Sequence, residues 1–395
     1  MSRFLFVVPP LVGHINPAVG TAAALAARGH DIAWAGPADL VRRLAGPEAQ
    51  VYPCVRPHLV PDRAAKIADR TAELKGPAAF RFLWESFLIP LADHMAPPIR
   101  EAIEEFGPDL VIADQQTVAG GMVAESLGLT WVTSATTSAE LVDPLAGMPK
   151  VAAWLDGLLE ALRGRIADGR GTADPRMSPH GVLAYTTRAL LGPVELPEHV
   201  WLVGPSVTDR PPSADFPWQW LAGAERTVLV SLGTANADAS APFLNAAVQA
   251  LSGMAGVRAV VVDPAGSVTR TGENILLRPH IPQLPLLARV DAVVCHAGHN
   301  TVCEALWHGV PLVVAPIRDD QPIVASQVTD AGAGVRLRFG RADPRRIADA
   351  VDTVLDEASG HRAAARAVSR SFRTAGGSAA AADRLEALLT LRRNK

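Results

Sequence analysis

The sequence predicts an α/β protein of two Rossmann-like domains, each built on a parallel sheet, facing each other across a cleft. Three observations carry that expectation. Short β-branched runs alternate with helix-length runs through the first half of the chain, a proline-rich stretch interrupts them, and the same alternation then restarts. Continuous apolar strands separated by helices are the pattern of a parallel sheet covered on both faces. The 395 residues are long enough for two sizeable cores.

In the first half, residues 3–8 predict a strand and 17–27 a helix that ends at Gly29. Pro17 is expected to open that helix, since proline is favoured in a first turn. Residues 31–35 predict the next strand and 109–113 (DLVIA) another, followed by a helix to about Leu127 and a strand over 130–133. The stretch from Gly204 to Trp220 holds four prolines and little apolar periodicity, which marks a linker. Beyond it, 227–232 (TVLVSL) predicts a strand, 241–254 a helix and 258–262 a strand. Strands at 291–295 and 312–315 flank a helix at 301–308, and helices rich in alanine and arginine run from Asp343 onward. The expected division is a first domain over 1–205, a linker over 206–222, a second domain over 223–375 and a terminal helix over 376–395. In such sheets ligands bind beyond the carboxyl ends of the strands.

Composition excludes several classes. A hydrophobic share of 49% rules out chain-wide disorder, and a net charge of −3 without a basic stripe gives no footprint for nucleic acid. Cys54, Cys295 and Cys303 form no CxxC pair, and their odd number argues against a disulfide framework. A reducing, cytoplasmic setting is the simple inference. The N-terminal apolar run is too short to span a membrane and lacks a small-residue cleavage site, and no other stretch reaches spanning length. No internal repeat is visible.

The densest chemical signal runs from Arg278 to Gln321, RPHIPQLPLLARVDAVVCHAGHNTVCEALWHGVPLVVAPIRDDQ. A strand (DAVVC) enters the turn His296-Ala297-Gly298-His299, and a helix begins near Asn300. Unpaired N–H groups at that helix start can bind an anion, and Gly298 lets the backbone approach a ligand closely. Asn300 and Thr301 add side-chain donors. Glu304 lies one turn further on and can face a ribose diol, and His280 offers a flat ring for a base. This is a nucleoside diphosphate site without a metal clamp, because the chain has no Asp-x-Asp triplet. Each part alone is weak; Glu304 by itself would read as a solvated helix residue and His296 as a strand-end cap.

The ordered set resembles the donor signature of the family 1 glycosyltransferases, the UDP-glycosyltransferase superfamily. The matching positions are His280-Ile-Pro282-Gln283, then His296-Ala-Gly298-His-Asn300-Thr301-Val-Cys-Glu304, then Gly309-Val-Pro311, then Pro316-Ile-Arg-Asp-Asp320-Gln321. The resemblance implies the GT-B architecture. It also implies that His280, where tryptophan is common, stacks on a pyrimidine, with Gln283 in the same conserved element. His296 and the Gly298–Thr301 turn would hold the diphosphate, Glu304 the ribose, and Asp320 with Gln321 the sugar hydroxyls. Asp319 beside Asp320 leaves the sugar-binding carboxylate open between the two.

A second motif, Gly13-His14-Ile15-Asn16-Pro17, follows the first strand. A neutral imidazole at a sheet edge can take a proton from an acceptor hydroxyl near neutral pH. An isolated histidine there would equally well cap a strand or helix; the resembling family carries Gly-His-x-x-Pro with histidine as base. Asp114, after DLVIA, lies at the same sheet edge, whereas Asp109 precedes that strand. Asp114 is therefore the expected partner that orients His14, with a helix N-cap as its other reading. Ser231-Leu232-Gly233-Thr234 ends the first strand of the second domain, and in the family the equivalent loop borders the diphosphate. Phe80, Trp84, Phe87 and Leu91 share one helical face, which reads as core, although the family places acceptor contacts in this region.

The resemblance therefore implies an inverting transferase. It would move a deoxyhexose or hexose from a dTDP- or UDP-sugar to a hydroxyl of a small apolar natural-product aglycone, as actinobacterial antibiotic enzymes do. No metal or further cofactor is expected, nor any membrane span. The terminal helix would pack back on the first domain, and the protein would be a monomer or homodimer. Two alternatives remain: a nucleotide-sugar 2-epimerase of the same architecture, and a non-catalytic sugar-nucleotide-binding helper.

Overall fold

Thirteen parallel strands form two doubly wound sheets in the computed structural model, which describes residues 1–55, 76–142, 145–208, 216–233 and 237–393. The chain divides into two units. Unit 1 comprises Met1–Thr186, Val194–Thr208 and Ala375–Lys395; unit 2 comprises Thr187–Pro193 and Asp209–Thr374.

The strands of unit 1 are β1 (Arg3–Val7), β2 (Asp31–Gly36), β3 (Gln50–Pro53), β4 (Leu110–Asp114), β5 (Trp131–Ala135), β6 (Val182–Ala184) and β7 (Val200–Leu202). Their order is β3-β2-β1-β4-β5-β6-β7, with every neighbour parallel. The continuous apolar character of β1 follows from burial on both faces. Leu5 and Val7 pack with Met95 and Ile99 of α2 (Ile89–Phe106) and with Met122 of α3 (Val118–Ser126). Phe4 and Phe6 point the other way, onto Ile15 and Leu25 of α1 (Val12–Ala27) and onto Ala381 and Leu385 of the terminal helix Gly377–Arg393. Alternate residues of one strand thus serve two helical layers. Gly120 and Gly121 let α3 sit close: a Cβ on Gly120 would come within 2.9 Å of the Ala113 Cβ, and one on Gly121 within 3.0 Å of the Trp131 ring. The terminal helix is also held by Arg28, which donates to Glu386 at 2.5 Å, and by the His30–Glu386 pair at 2.8 Å.

Unit 2 contains β8 (Arg226–Ser231), β9 (Val257–Val262), β10 (Ile275–Arg278), β11 (Ala292–Cys295), β12 (Leu312–Val314) and β13 (Gly334–Arg336). They run parallel in the order β10-β9-β8-β11-β12-β13. Val228, Val230 and Val294 pack with Phe243 and Leu244 of α4 (Ala237–Ser252) on one face, and Leu229 and Val293 pack with Val302 of α5 (His299–Trp307) and Val324 of α6 (Gln321–Asp330) on the other.

Several expectations need correction. Helix α1 begins at Val12, so Pro17 lies inside it and His14 sits in its first turn. The extended residue Leu11 starts the helix early, its carbonyl accepting from His14 and Ile15. Pro17 then forfeits only one backbone hydrogen bond, near an end where such bonds are already incomplete. Residues 187–193 belong to unit 2, because Leu190 is buried in that core and Ser371 donates to Thr187 at 2.8 Å. The end of the expected linker is ordered: Trp218–Leu221 is a short helix, Phe216 is buried, and Trp218 and Trp220 pack on the unit 2 core. Trp84 is 2% exposed and belongs to the unit 1 core, with Phe80, Phe87 and Leu91 half-buried against it. The four residues thus meet one core as expected, although a five-residue π turn, Trp84–Leu88, falls within that helical stretch. Among the described residues no helix is long and apolar enough to cross a membrane.

Candidate functional site

Asp114 is the last residue of β4 and is fully buried, at 0% exposure. A carboxylate there must be hydrogen-bonded to be tolerated. The Gln116 N–H donates to its Oδ1 at 2.8 Å, and the Thr136 hydroxyl donates to its Oδ2 at 2.8 Å. His14 Nδ1 lies 3.0 Å from each oxygen. The His14 side chain is 16% exposed, so the ring reaches from the buried carboxylate towards the surface. β1 and β4 are adjacent in the sheet, and His14 and Asp114 both stand at their carboxyl ends. The structure thus brings the two expected residues into direct contact.

It adds a residue that the sequence reading missed. Thr136 directly follows β5, is 3% exposed, and places its Oγ1 2.7 Å from His14 Nδ1. The available signal was the hydroxyl-rich run Thr133 to Ser138, which leaves a strand paired to β4 in the register Asp114↔Ser134.

In unit 2 the corresponding sheet edge is formed by β8 and β11, where Cys295 pairs with Ser231. Ser231 is buried, and Gly233 follows with φ +72. After β11 come His296, Ala297 with φ +65, and Gly298, the N-cap of α5. The His296 ring lies against both glycines: a Cβ on Gly233 would approach its Cε1 to 2.8 Å, and one on Gly298 its Nε2 to 2.5 Å. Nδ1 is shut off from solvent without a well-aligned partner. Burial pushes the His296 pKa down to about 4, although Asp320 and the Ser231 backbone pull it upward, while Arg318 also lowers it. The ring is therefore neutral at physiological pH and can donate one hydrogen bond without carrying charge.

Asn300 and Thr301 occupy the first turn of α5, both half-buried. Glu304, one turn on, is 4% exposed and accepts from Gln283 Nε2 at 2.6 Å. Gln321 opens α6, and its Oε1 accepts from the Ile317 and Arg318 backbone at 2.8 and 3.1 Å. That oxygen is committed to holding the preceding loop, which leaves the amide nitrogen of Gln321 for other work. Asp319 is exposed with φ +55, whereas half-buried Asp320 is the residue whose charge acts on His296. Arg318, 14% exposed, is a second unanticipated neighbour of His296. His280 stands exposed in the loop ahead of Gln283, and Thr234 lies outside the described residues.

Residues 257–388 match the family profile described as erythromycin biosynthesis protein CIII-like, C-terminal domain. The 4'-demethylrebeccamycin synthase of Lentzea aerocolonigenes is 30% identical over 402 residues, covering 90% of this chain and 92% of that protein. The demethyllactenocin mycarosyltransferase of Streptomyces fradiae is 29% identical, covering 99% of this chain and 87% of that protein. Among solved structures, the glycotransferase of kitacinnamycin superposes with a TM-score of 0.76 at 25% identity, over 98% of both chains. A spinosyn rhamnosyltransferase complexed with thymidine diphosphate superposes at 0.73 with 24% identity, over 97% of this chain and 100% of that one.

Proposed function

The chain belongs to the family 1 natural-product glycosyltransferases and has their GT-B fold, and from that premise we propose an inverting transfer in which His14 is the general base. His14 Nε2 takes the proton of an acceptor hydroxyl as that oxygen attacks the anomeric carbon. The bond from that carbon to the diphosphate breaks, and the nucleoside diphosphate leaves with the electron pair. Asp114 holds the ring and stabilises the imidazolium as it forms. The observation that carries this reading is the His14 Nδ1 contact to the buried Asp114 carboxylate, 3.0 Å to each oxygen.

The donor in this reading is a pyrimidine nucleoside diphosphate sugar held by unit 2. The backbone N–H groups at the start of α5 and the neutral His296 face the diphosphate and offset the charge it gains on leaving. Glu304, paired with Gln283, serves the ribose, His280 the base, and Asp320 with Gln321 the sugar. Thymidine diphosphate is the first donor base to try, because a structural neighbour was solved with it. The acceptor is a small apolar aglycone. Cys54, Cys295 and Cys303 are buried and form no disulfide among the described residues, which suits a reducing compartment. The test is nucleoside diphosphate release and product mass from a panel of dTDP- and UDP-sugars with aglycones. Absence of any glycoside, with hydrolysis or epimerisation of the donor instead, would overturn the proposal.

A further inference from the structure

We infer that Thr136 is a positioning residue that sets the tautomer of His14, through the one proton its hydroxyl can give. The inference rests on the general-base reading of His14 and deepens it. Three groups meet at short range: His14 Nδ1 is 2.7 Å from Thr136 Oγ1 and 3.0 Å from both Asp114 oxygens, and Thr136 Oγ1 is 2.8 Å from Asp114 Oδ2. Their protons can be counted. An ionised carboxylate only accepts, a hydroxyl gives one proton and accepts, and a neutral imidazole nitrogen does one or the other.

Suppose Nδ1 carried the lone pair. It would then face two carboxylate oxygens at 3.0 Å with no proton between them. Thr136 would have to turn its only proton to Nδ1, and Asp114 Oδ2 would lose that donor in a site with 0% exposure. An unmet buried carboxylate oxygen is the costlier outcome. With Nδ1 protonated, every short contact is attractive. Nδ1–H donates to the carboxylate and to the hydroxyl lone pair, and Thr136 gives its proton to Oδ2. Nε2 then holds the lone pair that a base needs. Asp114 alone favours this arrangement; Thr136 strengthens it twice, by donating to the carboxylate and by accepting from Nδ1–H. The second contact also helps to bear the charge on the ring once the acceptor proton arrives. Its placement is fixed by the sheet, since Thr136 directly follows β5, which is paired to β4. The residue is 3% exposed and takes no part in solvation of the surface.

Thr136→Val keeps the shape and removes the hydroxyl, and Thr136→Ser restores it. Two readouts are used: steady-state kinetics, and proton–nitrogen correlation spectra of 15N-histidine-labelled protein without substrate, with the His14 signals identified by their loss in His14→Asn. Loss of a charge-assisted hydrogen bond predicts a kcat lower by about 10–100-fold in Thr136→Val, with the donor KM within about twofold. Thr136→Ser should recover most of kcat. In the spectra, wild-type His14 should show protonated Nδ1 and bare Nε2, and Thr136→Val a mixture of tautomers. A wild-type ring protonated on Nε2, a Thr136→Val variant with undiminished kcat, or one with lowered kcat and an unchanged tautomer would each overturn the inference. The base reading is judged separately: a fully active His14→Ala would sink it, whereas a tautomer shift in Thr136→Val would still stand.

Discussion

Gly298→Ala tests whether the His296 wedge is part of a donor site. Gly298 has φ −62 and ψ 131, an extended conformation that alanine adopts without strain, so the backbone contributes no penalty. The whole effect comes from the new methyl, which would lie 2.5 Å from His296 Nε2 and 2.9 Å from Cε1. Ordinary carbon–nitrogen contact needs roughly 1 Å more. The ring has little room to yield, because on the Gly233 side it already occupies space within 2.8 Å of where a Cβ would stand. Either the imidazole tilts away or the start of α5 shifts. Overpacking of this kind costs about 1–3 kcal/mol. A part of that comparable to 1.4–2.7 kcal/mol, expressed at the helix start, weakens nucleoside diphosphate binding by roughly ten- to a hundredfold. Calorimetric titration with thymidine diphosphate and uridine diphosphate measures it, and a thermal melt of the free protein separates misfolding from lost affinity. Gly233→Ala should be worse, since its φ of +72 adds about 1–2 kcal/mol of left-handed strain. Unchanged affinity in Gly298→Ala, with an unchanged melt, would refute the placement of the diphosphate beside His296.

Three further outcomes are expected. His14→Ala should lose about 10²–10⁴-fold in turnover on an unactivated hydroxyl acceptor while nucleoside diphosphate affinity stays within about twofold, because His14 is the proposed base and the proposed donor residues lie in unit 2; a product that keeps the donor's anomeric configuration, seen by NMR, would contradict the mechanism. Burial holds His296 at about 4 against an ordinary 6.5, so below pH 6.5 the unfolded chain binds the proton first, and stability falls as pH drops towards 4. The sum is roughly 3 kcal/mol, and His296→Gln should flatten that part of a urea-melt series between pH 7 and pH 5; parallel curves for both proteins would count against it. Activity should survive a chelator, since the α5 start and His296 are proposed to meet the leaving-group charge; full loss restored by magnesium or manganese would overturn this.

Legibility in the sequence tracked how local each cause was. Strands such as β4 and β11 were readable because burial on both faces forces an unbroken apolar run, visible without knowing the neighbours. The grouping of His296, Gly298, Asn300, Thr301 and Glu304, the proposed donor residues, was readable because one strand–turn–helix carries them all within a few residues. The start of α1 was misplaced because a favourable local preference, proline in a first turn, competed with an earlier start at Leu11. Leu190 was assigned to the wrong unit because a short RALL helix bears no mark of which core it joins. Thr136 was missed for the same reason: a threonine after a strand is commonplace, and only the β4–β5 pairing brings it to Asp114.

The two constellations obey one topological rule. In unit 1 the strand order runs outward from β1 to β3 on one side and from β4 to β7 on the other, so the loops after β1 and β4 leave in opposite directions. Such a switch point opens a crevice at the carboxyl edge, and His14, in the first turn of the helix after β1, meets Asp114, the last residue of β4, there. Unit 2 repeats the order around β8 and β11, and Gly233 and His296 come from the equivalent loops. The chemistry differs because the loops differ. After β1 the chain enters a long helix whose first turn presents an imidazole to a buried carboxylate. After β11 it makes a glycine turn that presents backbone amides and an imidazole kept neutral by burial. A ring poised against a carboxylate suits proton removal, whereas amides with an uncharged donor suit a diphosphate that must bind and then leave. One sheet order used twice therefore carries both proposed parts, a base in one unit and an anion cradle in the other.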